Sequence, residues 1–416
     1  MKPIQNPFQN LSLLSWGIVT CGLALALMIL LQGTFIASAT APDRVDVPLQ
    51  TCDEQGQQAS GANYLICMPS GTWNNKLVVY AHGYIAPTEP ILDLTTAADV
   101  TAIRDLAHFQ GYAFAATSYS KNGVAVLEGI DDLLDLVDIF KTEQGMPEQV
   151  YLLGFSQGGL VATLALERHP DIFSGGLALC GPYGDFRQQS DYFAHTRVLF
   201  DYFFPGVMPG SAITIPTTLM DDWTGYYSDT IKPALMDSAN ADSLDQLIAT
   251  AGVAFNADAE NGKVDALENV LWYNVFATND GIASLGGQPF DNMDTVYSGS
   301  NNDAQLNDEV ARFTADSAAL AELERYQTNG QLRRPLVTMH TRQDPIVPYE
   351  QASLYQAKVE QAGRVDYHQH VASNQYGHCQ FSQLEFFGTL PRLEVLASSA
   401  PPFEIQTFFP IMMKSQ

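Results

Sequence analysis

Val150-Tyr151-Leu152-Leu153-Gly154-Phe155-Ser156-Gln157-Gly158-Gly159-Leu160-Val161-Ala162 decides how this chain is read. An apolar run of strand length enters the Gly-x-Ser-x-Gly core, and an alanine-rich helical pattern, Gln157–Arg168, leaves it. A serine held between strand and helix by glycines sits in a strained turn with its hydroxyl exposed, because glycine lets neighbouring backbones pass closely. The helix start beyond it offers unsatisfied N–H groups and a positive dipole end to negative charge developing beside the serine. The plain alternative is a glycine-rich turn with an idle serine. The strand directly before and the helix directly after favour a reactive one.

Outward from this turn, short apolar runs alternate with helical patterns. Strands are expected at Asn63–Met68, Lys76–Ala81, Tyr112–Thr117, Gln149–Leu153, Gly175–Leu179, Pro335–His340 and Arg364–Val371. Helices are expected at Ala97–Phe109, Gly129–Gln144, Gln157–Arg168, Glu350–Gln361 and Phe381–Leu396. Such alternation implies βαβ units, hence an α/β fold with a mainly parallel sheet covered on both faces. Leu77-Val78-Val79-Tyr80-Ala81, apolar throughout, suits a central strand of that sheet. The rhythm breaks between Gly181 and Arg334, a stretch too long for a structureless loop in a compact domain. It reads as a mostly helical cap inserted after the sixth strand. Residues 40–180 and 335–416 are then the two parts of one core, with 181–334 between them. The acidic run Asn256–Gly262 has its glycine out of register for a calcium loop and reads as a solvated turn.

A serine hydroxyl needs a base, and a neutral imidazole needs an orienting carboxylate. Among the eight histidines, only His378 combines a loop position with a place C-terminal to both the serine and a strand-end acid. Asp344 follows the Pro335–His340 strand, at the carboxyl edge where open α/β sheets place their sites. Asp366 is the rival, but it falls inside a strand. Ser156, Asp344 and His378 thus form the candidate catalytic set. Donors for an oxyanion are expected from the backbone N–H groups of Gln157 and of Tyr84, in the Ala81-His82-Gly83-Tyr84 turn after an earlier strand.

Ala81-His82-Gly83-Tyr84, Gly154–Gly159, Asp344-Pro345-Ile346-Val347-Pro348 and Gly377-His378-Cys379 together resemble the α/β-hydrolase-fold serine hydrolases, over residues 50–398. The elbow is similar to those of carboxylesterases, acyl thioesterases and secreted lipases. The resemblance implies carboxylic-ester hydrolysis through an acyl-enzyme, with no cofactor and no metal, on a small-molecule, lipid-like or aryl ester. A peptidase or amidase with the same triad, and a non-catalytic binding protein on a hydrolase scaffold, are the alternatives. Tannase and feruloyl-esterase relatives place a cysteine beside both serine and histidine; here Cys379 adjoins His378, but Phe155 precedes Ser156. A cap after the sixth strand implies a covered pocket, for which the aromatic block offers Tyr192, Phe193, Phe203 and Phe204.

Composition sets the surroundings. With 46% hydrophobic residues the 416-residue chain has ample material for a core, and its net charge of −26 argues against nucleic acid and anionic membrane surfaces. Lys2, an uncharged apolar run from Leu11 to Leu31, and Ala37-Ser38-Ala39 read as an export signal over residues 1–39. It is expected to be cleaved after Ala39, with an uncleaved anchor as the alternative; once it is cleaved, no stable membrane association is expected. A secreted or periplasmic protein with Cys52, Cys67, Cys180 and Cys379 remaining is expected to form disulfides. Cys52 and Cys67 flank a turn-rich stretch, while Cys180 ends a strand at the edge where Cys379 adjoins His378. The expected pairing is Cys52–Cys67 and Cys180–Cys379.

Overall fold

β3 (Lys76–Ala81) is buried along almost its whole length. Leu77 and Val79 join one apolar cluster and Val78 and Tyr80 another, so its alternating side chains feed a core on each face of the sheet. The computed structural model describes Cys52 and residues 54–401; the expected export signal, residues 1–39, lies outside them.

Around β3 the sheet has eight strands in the order β1-β2-β4-β3-β5-β6-β7-β8. These are β1 (Glu54–Gln57), β2 (Asn63–Cys67), β4 (Ala113–Thr117), β5 (Gln149–Phe155), β6 (Gly175–Leu179), β7 (Leu336–Gln343) and β8 (His368–Tyr376). From β4 to β8 all neighbours are parallel, and β1 and β2 are antiparallel at one edge. The helices α1 (Ala98–Phe109), α2 (Val126–Glu143), α3 (Gln157–Arg168), α12 (Glu350–Gln361), α13 (Gln383–Phe387) and α14 (Thr389–Ser399) belong to the core segments.

Three local differences from the sequence reading have physical causes. β1, Glu54-Gln55-Gly56-Gln57, carries no apolar pattern because an edge strand pairs on one side only. β8 starts later than expected because Val365–Tyr367 forms a 3₁₀ turn, which takes Asp366 out of the strand. The last helix divides at Gly388 into α13 and α14.

Between β6 and β7 the chain is helical: α4 (Phe186–Phe203), α5 (Thr217–Asp221), α6 (Trp223–Tyr226), α7 (Lys232–Met236), α8 (Ala241–Ala251), α9 (Gly262–Leu285), α10 (Asp303–Glu309) and α11 (Ser317–Leu323). Phe200, Leu247, Leu271 and Val275 are fully buried in a cluster that is the insertion's own apart from Ala86, in the loop after β3. That separate core explains why so long a segment holds together outside the sheet. Among the described residues no helix is long and apolar enough to cross a membrane.

Candidate active site

β5 ends at Phe155 and α3 begins at Gln157, leaving Ser156 alone in the turn with φ of 54°. A non-glycine residue rarely adopts that region, and it persists only where the surroundings enforce it. Here they do. The Ser156 N–H donates to Leu179 O of β6 at 2.9 Å, and its carbonyl accepts the Gly159 N–H at 2.8 Å. A methyl on Gly158 would overlap the Ala81 carbonyl oxygen, and one on Gly154 would overlap that of Gly158, so strand, helix and β3 pass too closely for side chains.

Ser156 Oγ donates to His378 Nε2 at 2.8 Å, and His378 Nδ1–H donates to Asp344 Oδ2 at 2.8 Å. Asp344 is completely shielded at its side chain and His378 nearly so, at 9% exposure, so the chain of bonds runs from a partly open hydroxyl into the interior. Asp344 Oδ1 accepts the Ile346 and Val347 N–H groups at 2.9 and 3.0 Å, which folds the turn after β7 around the carboxylate. Burial opposes its ionisation, but His378 and His340 beside it win, and the carboxyl lies well below the usual range. Such a chain can withdraw the serine proton as the oxygen attacks and stabilise the imidazolium that results.

The loop carrying His378 is held from several sides. Thr341 Oγ1 donates to Gly377 O at 2.7 Å, and the Gly377 N–H donates to Gln343 O at 2.9 Å. Cys379 is bonded to Cys180, which directly follows β6, and Cys52 is bonded to Cys67, the pairing read from the sequence. Cys180 and Cys379 both have positive φ, 49° and 57°, so the bridge joins two left-handed residues at the site edge. Cys180, His378 and Cys379 are the one cluster of metal-ligand type among the described residues, but with the two sulfurs bonded to each other it lacks thiolates to hold an ion.

On the other side of Ser156 the loop after β3 arrives at close range. A β-carbon on Gly83 would stand 3.4 Å from Ser156 Cβ, so the backbone leading to Tyr84 passes beside the hydroxyl. His82 anchors this loop: its Nδ1–H donates to Gly83 O at 2.7 Å and its ring stacks on Tyr119 at 3.9 Å. Burial pushes the His82 pKa down, which keeps it neutral. Gln157 Nε2 donates to Gly123 O at 3.0 Å, and Asp280 of α9 accepts the Val124 N–H at 2.6 Å, docking the insertion on the loop after β4. On the acid side, Tyr192 and Gln189 of α4 donate to Pro345 O and Ile346 O at 2.8 and 2.9 Å.

A cavity of ≈ 110 Å³ adjoins Ser156 and Gln157, walled by α4, α9 and the turn at Ile346-Val347. Of the aromatic residues expected to line it, only Phe193 does so, stacked on Tyr273 at 5.1 Å. Tyr192 tethers the acid turn through Pro345, Phe204 stacks on Phe200 inside the insertion, and Phe203 packs against Tyr202. None of these three lines the cavity: Tyr192 and Phe203 lie off the stripe that α4 turns inward, and Phe204 lies beyond the end of the helix. Tyr273, Ala277 and Gly281 of α9 take the wall instead. They escaped the sequence reading, since nothing in α9 marks which partner its face meets. His340, within β7 and beside Asp344, escaped it too.

The model of the serine aminopeptidase S33 family of hydrolases matches residues 125–242, which includes the serine turn. No curated protein sequence matches significantly. Among solved structures, Est1E from Butyrivibrio proteoclasticus aligns over 84% of this chain and 97% of its own at 14% identity, TM-score 0.38. The Pyrococcus furiosus esterase Pf2001 covers 82% and 88% at 12% identity, TM-score 0.43. Candida antarctica lipase A covers 84% and 77% at 16% identity, TM-score 0.43. A largely parallel sheet whose fifth strand ends in the serine turn, matched over that turn by a hydrolase family model, gives the chain the fold of the α/β-hydrolase serine hydrolases.

Proposed function

We propose that the protein is an exported carboxylic-ester hydrolase working through an acyl-enzyme on Ser156. The observation that carries this reading is the unbroken hydrogen-bonded chain from Ser156 through His378 to Asp344, at 2.8 Å in each step. Ser156 Oγ attacks the ester carbonyl carbon as His378 Nε2 takes its proton. The proton then passes to the departing alcohol, and water, activated by the same imidazole, releases the acid. Asp344 keeps the Nδ1–H tautomer in place and balances the imidazolium. The backbone N–H groups of Gln157 and Tyr84 receive the carbonyl oxygen as it becomes negative. These steps call for no cofactor. The two disulfides support an oxidising compartment outside the cytosol.

The family match raises a second reading, an aminopeptidase. An aminopeptidase has to pair the ammonium of its substrate, and no lining residue of the cavity beside Ser156 is acidic. Esters are therefore favoured. The test is fluorophosphonate labelling of the purified protein, with 4-nitrophenyl esters and aminoacyl anilides assayed side by side. Labelling at Ser156 with ester turnover that Ser156→Ala abolishes is the expected result. Anilide turnover alone overturns the ester reading, and absence of label overturns the hydrolytic one.

A further inference from the structure

Gly281 lies inside α9, four residues before its end at Leu285, and lines the cavity beside Ser156. Glycine in a helix interior is the least favourable residue short of proline, so its presence needs a cause. Close packing is the usual one, as at Gly158. At Gly281 the opposite holds: a β-carbon there would meet no heavy atom within 4 Å. No neighbouring atom occupies that volume, and it opens at a residue that lines the cavity. Ala277, one turn earlier, continues the same smooth wall, and Ala194 of α4 lines the cavity as well.

The lining positions on α9 run from Tyr273 to Leu285, which is about 18 Å along the helix axis. Tyr273 stands beside Tyr84, at 5.7 Å between ring centres, and so marks a part of that wall close to the β3 loop. No lining residue is charged. The side-chain amide nitrogens of Gln157, Gln189 and Gln288 donate to the backbone carbonyls of Gly123, Ile346 and Thr314, and the Ser190 hydroxyl donates to Phe186 O. These four donors are in use within the protein; the Tyr84 hydroxyl and the Gln189 and Gln288 amide oxygens are buried without a partner, and most of the remaining lining is apolar. A carboxylate, phosphate or ammonium would enter unpaired, at a high desolvation cost. A cavity lined for about 18 Å along α9 without a charged residue suits an alkyl chain.

We infer that the substrates are esters of medium- to long-chain aliphatic acids, and that Gly281 is a specificity-determining position whose missing side chain sets the chain length admitted. This rests on the ester-hydrolase reading. Each methylene that enters should raise kcat/KM about fourfold until the space is filled. The experiment measures kcat/KM for 4-nitrophenyl esters from acetyl to dodecanoyl on the wild type, Gly281→Ala and Gly281→Leu. The expected wild-type profile rises with chain length. The dodecanoyl-to-acetyl ratio should fall a few-fold in Gly281→Ala and at least tenfold in Gly281→Leu. Should Gly281→Leu fail to fold, alkylboronic acids of increasing length give the reading on the wild type and Gly281→Ala. Their inhibition should tighten with length, and less steeply in the alanine variant. A wild-type profile falling from acetyl onward, or ratios unchanged in both variants, overturns the inference while leaving ester hydrolysis intact. Failure of the wild type to cleave any ester overturns the underlying reading instead.

Discussion

His340 Nε2 stands 3.5 Å from Asp344 Oδ2, the same carboxylate oxygen that accepts the hydrogen bond from His378 Nδ1–H, and neither His340 nor Asp344 exposes any side-chain surface. The His340 Nε2–H donates to Val347 O at 2.9 Å, and its Nδ1 accepts the Tyr183 hydroxyl at 3.3 Å. One buried histidine thereby fastens strand β7 to the turn that aims Asp344. It touches no reacting atom and acts through the acid.

His340→Leu should therefore lower kcat by about 10- to 100-fold with little change in KM, because a loosened carboxylate lets the base drift from the serine. His340→Gln, which retains a donor for Val347 O, should recover part of the loss. Steady-state kinetics at several pH values check this. Equal losses in both variants, carried in KM, would mean the residue does no more than fill space.

The two disulfides should behave differently. Cys52–Cys67 closes a loop of sequence separation 15 and should contribute about 3 kcal/mol to stability on a chain-entropy argument. Cys180–Cys379 spans 199 positions and also holds the residue next to His378. Cys180→Ser should thus lower kcat of the folded enzyme more than Cys52→Ser does, while both lower Tm. Turnover per fluorophosphonate-titrated site, measured beside thermal melts, separates the two effects.

Two glycine-to-alanine changes should act with opposite sign. Gly158→Ala forces a methyl into the Ala81 carbonyl and should cost at least about 3 kcal/mol or abolish folding. Gly281→Ala enters open space within a helix and should stabilise by about 1 kcal/mol. Denaturant titration of both variants against the wild type is the measurement.

Burial holds His195, His368 and His370 down to a pKa of about 4, so all three are neutral in the folded protein at mildly acid pH. Unfolded, a histidine titrates near about 6.5. Between those values the unfolded chain binds more protons, so each histidine makes stability fall as pH drops from 6.5 toward 4. Asp191, which burial pushes up to about 7, works in the opposite sense over much of the same range. The clean observable is a difference. His370→Asn, even if destabilised overall, should show a shallower loss of stability from pH 6.5 to 4 than the wild type. Denaturant midpoints across that range decide it, and parallel curves would contradict the shift.

That Ser156, Asp344 and His378 come together was legible in the sequence because each lies in a constrained local context. Ser156 needs a strand before it and a helix after it, and Asp344 needs a strand end. Both contexts are written in adjacent residues, as is the alternation that sets the parallel sheet. The cysteine pairing was readable for a similar reason: Cys52 and Cys67 lie close in sequence around one turn, and Cys180 and Cys379 follow strands whose carboxyl ends share one edge of the sheet.

What only the tertiary structure decided lies in the insertion and in the interior of β7. An aromatic run declares that a helix face will be buried, but not against what. Tyr192 met the acid turn, Phe203 and Phe204 met neighbours within the insertion, and Phe193 alone of the four reached the cavity. Gly281 reads in sequence as a weak point of a helix; only the empty space beside it turns that weakness into a feature of the site. His340 reads as one more strand residue until the fold sets it against Asp344. The physical reason is common to all three. Periodicity and propensity report how a segment is patterned along itself, whereas a cavity or a second partner for a carboxylate arises between segments far apart in sequence, at distances that packing alone sets.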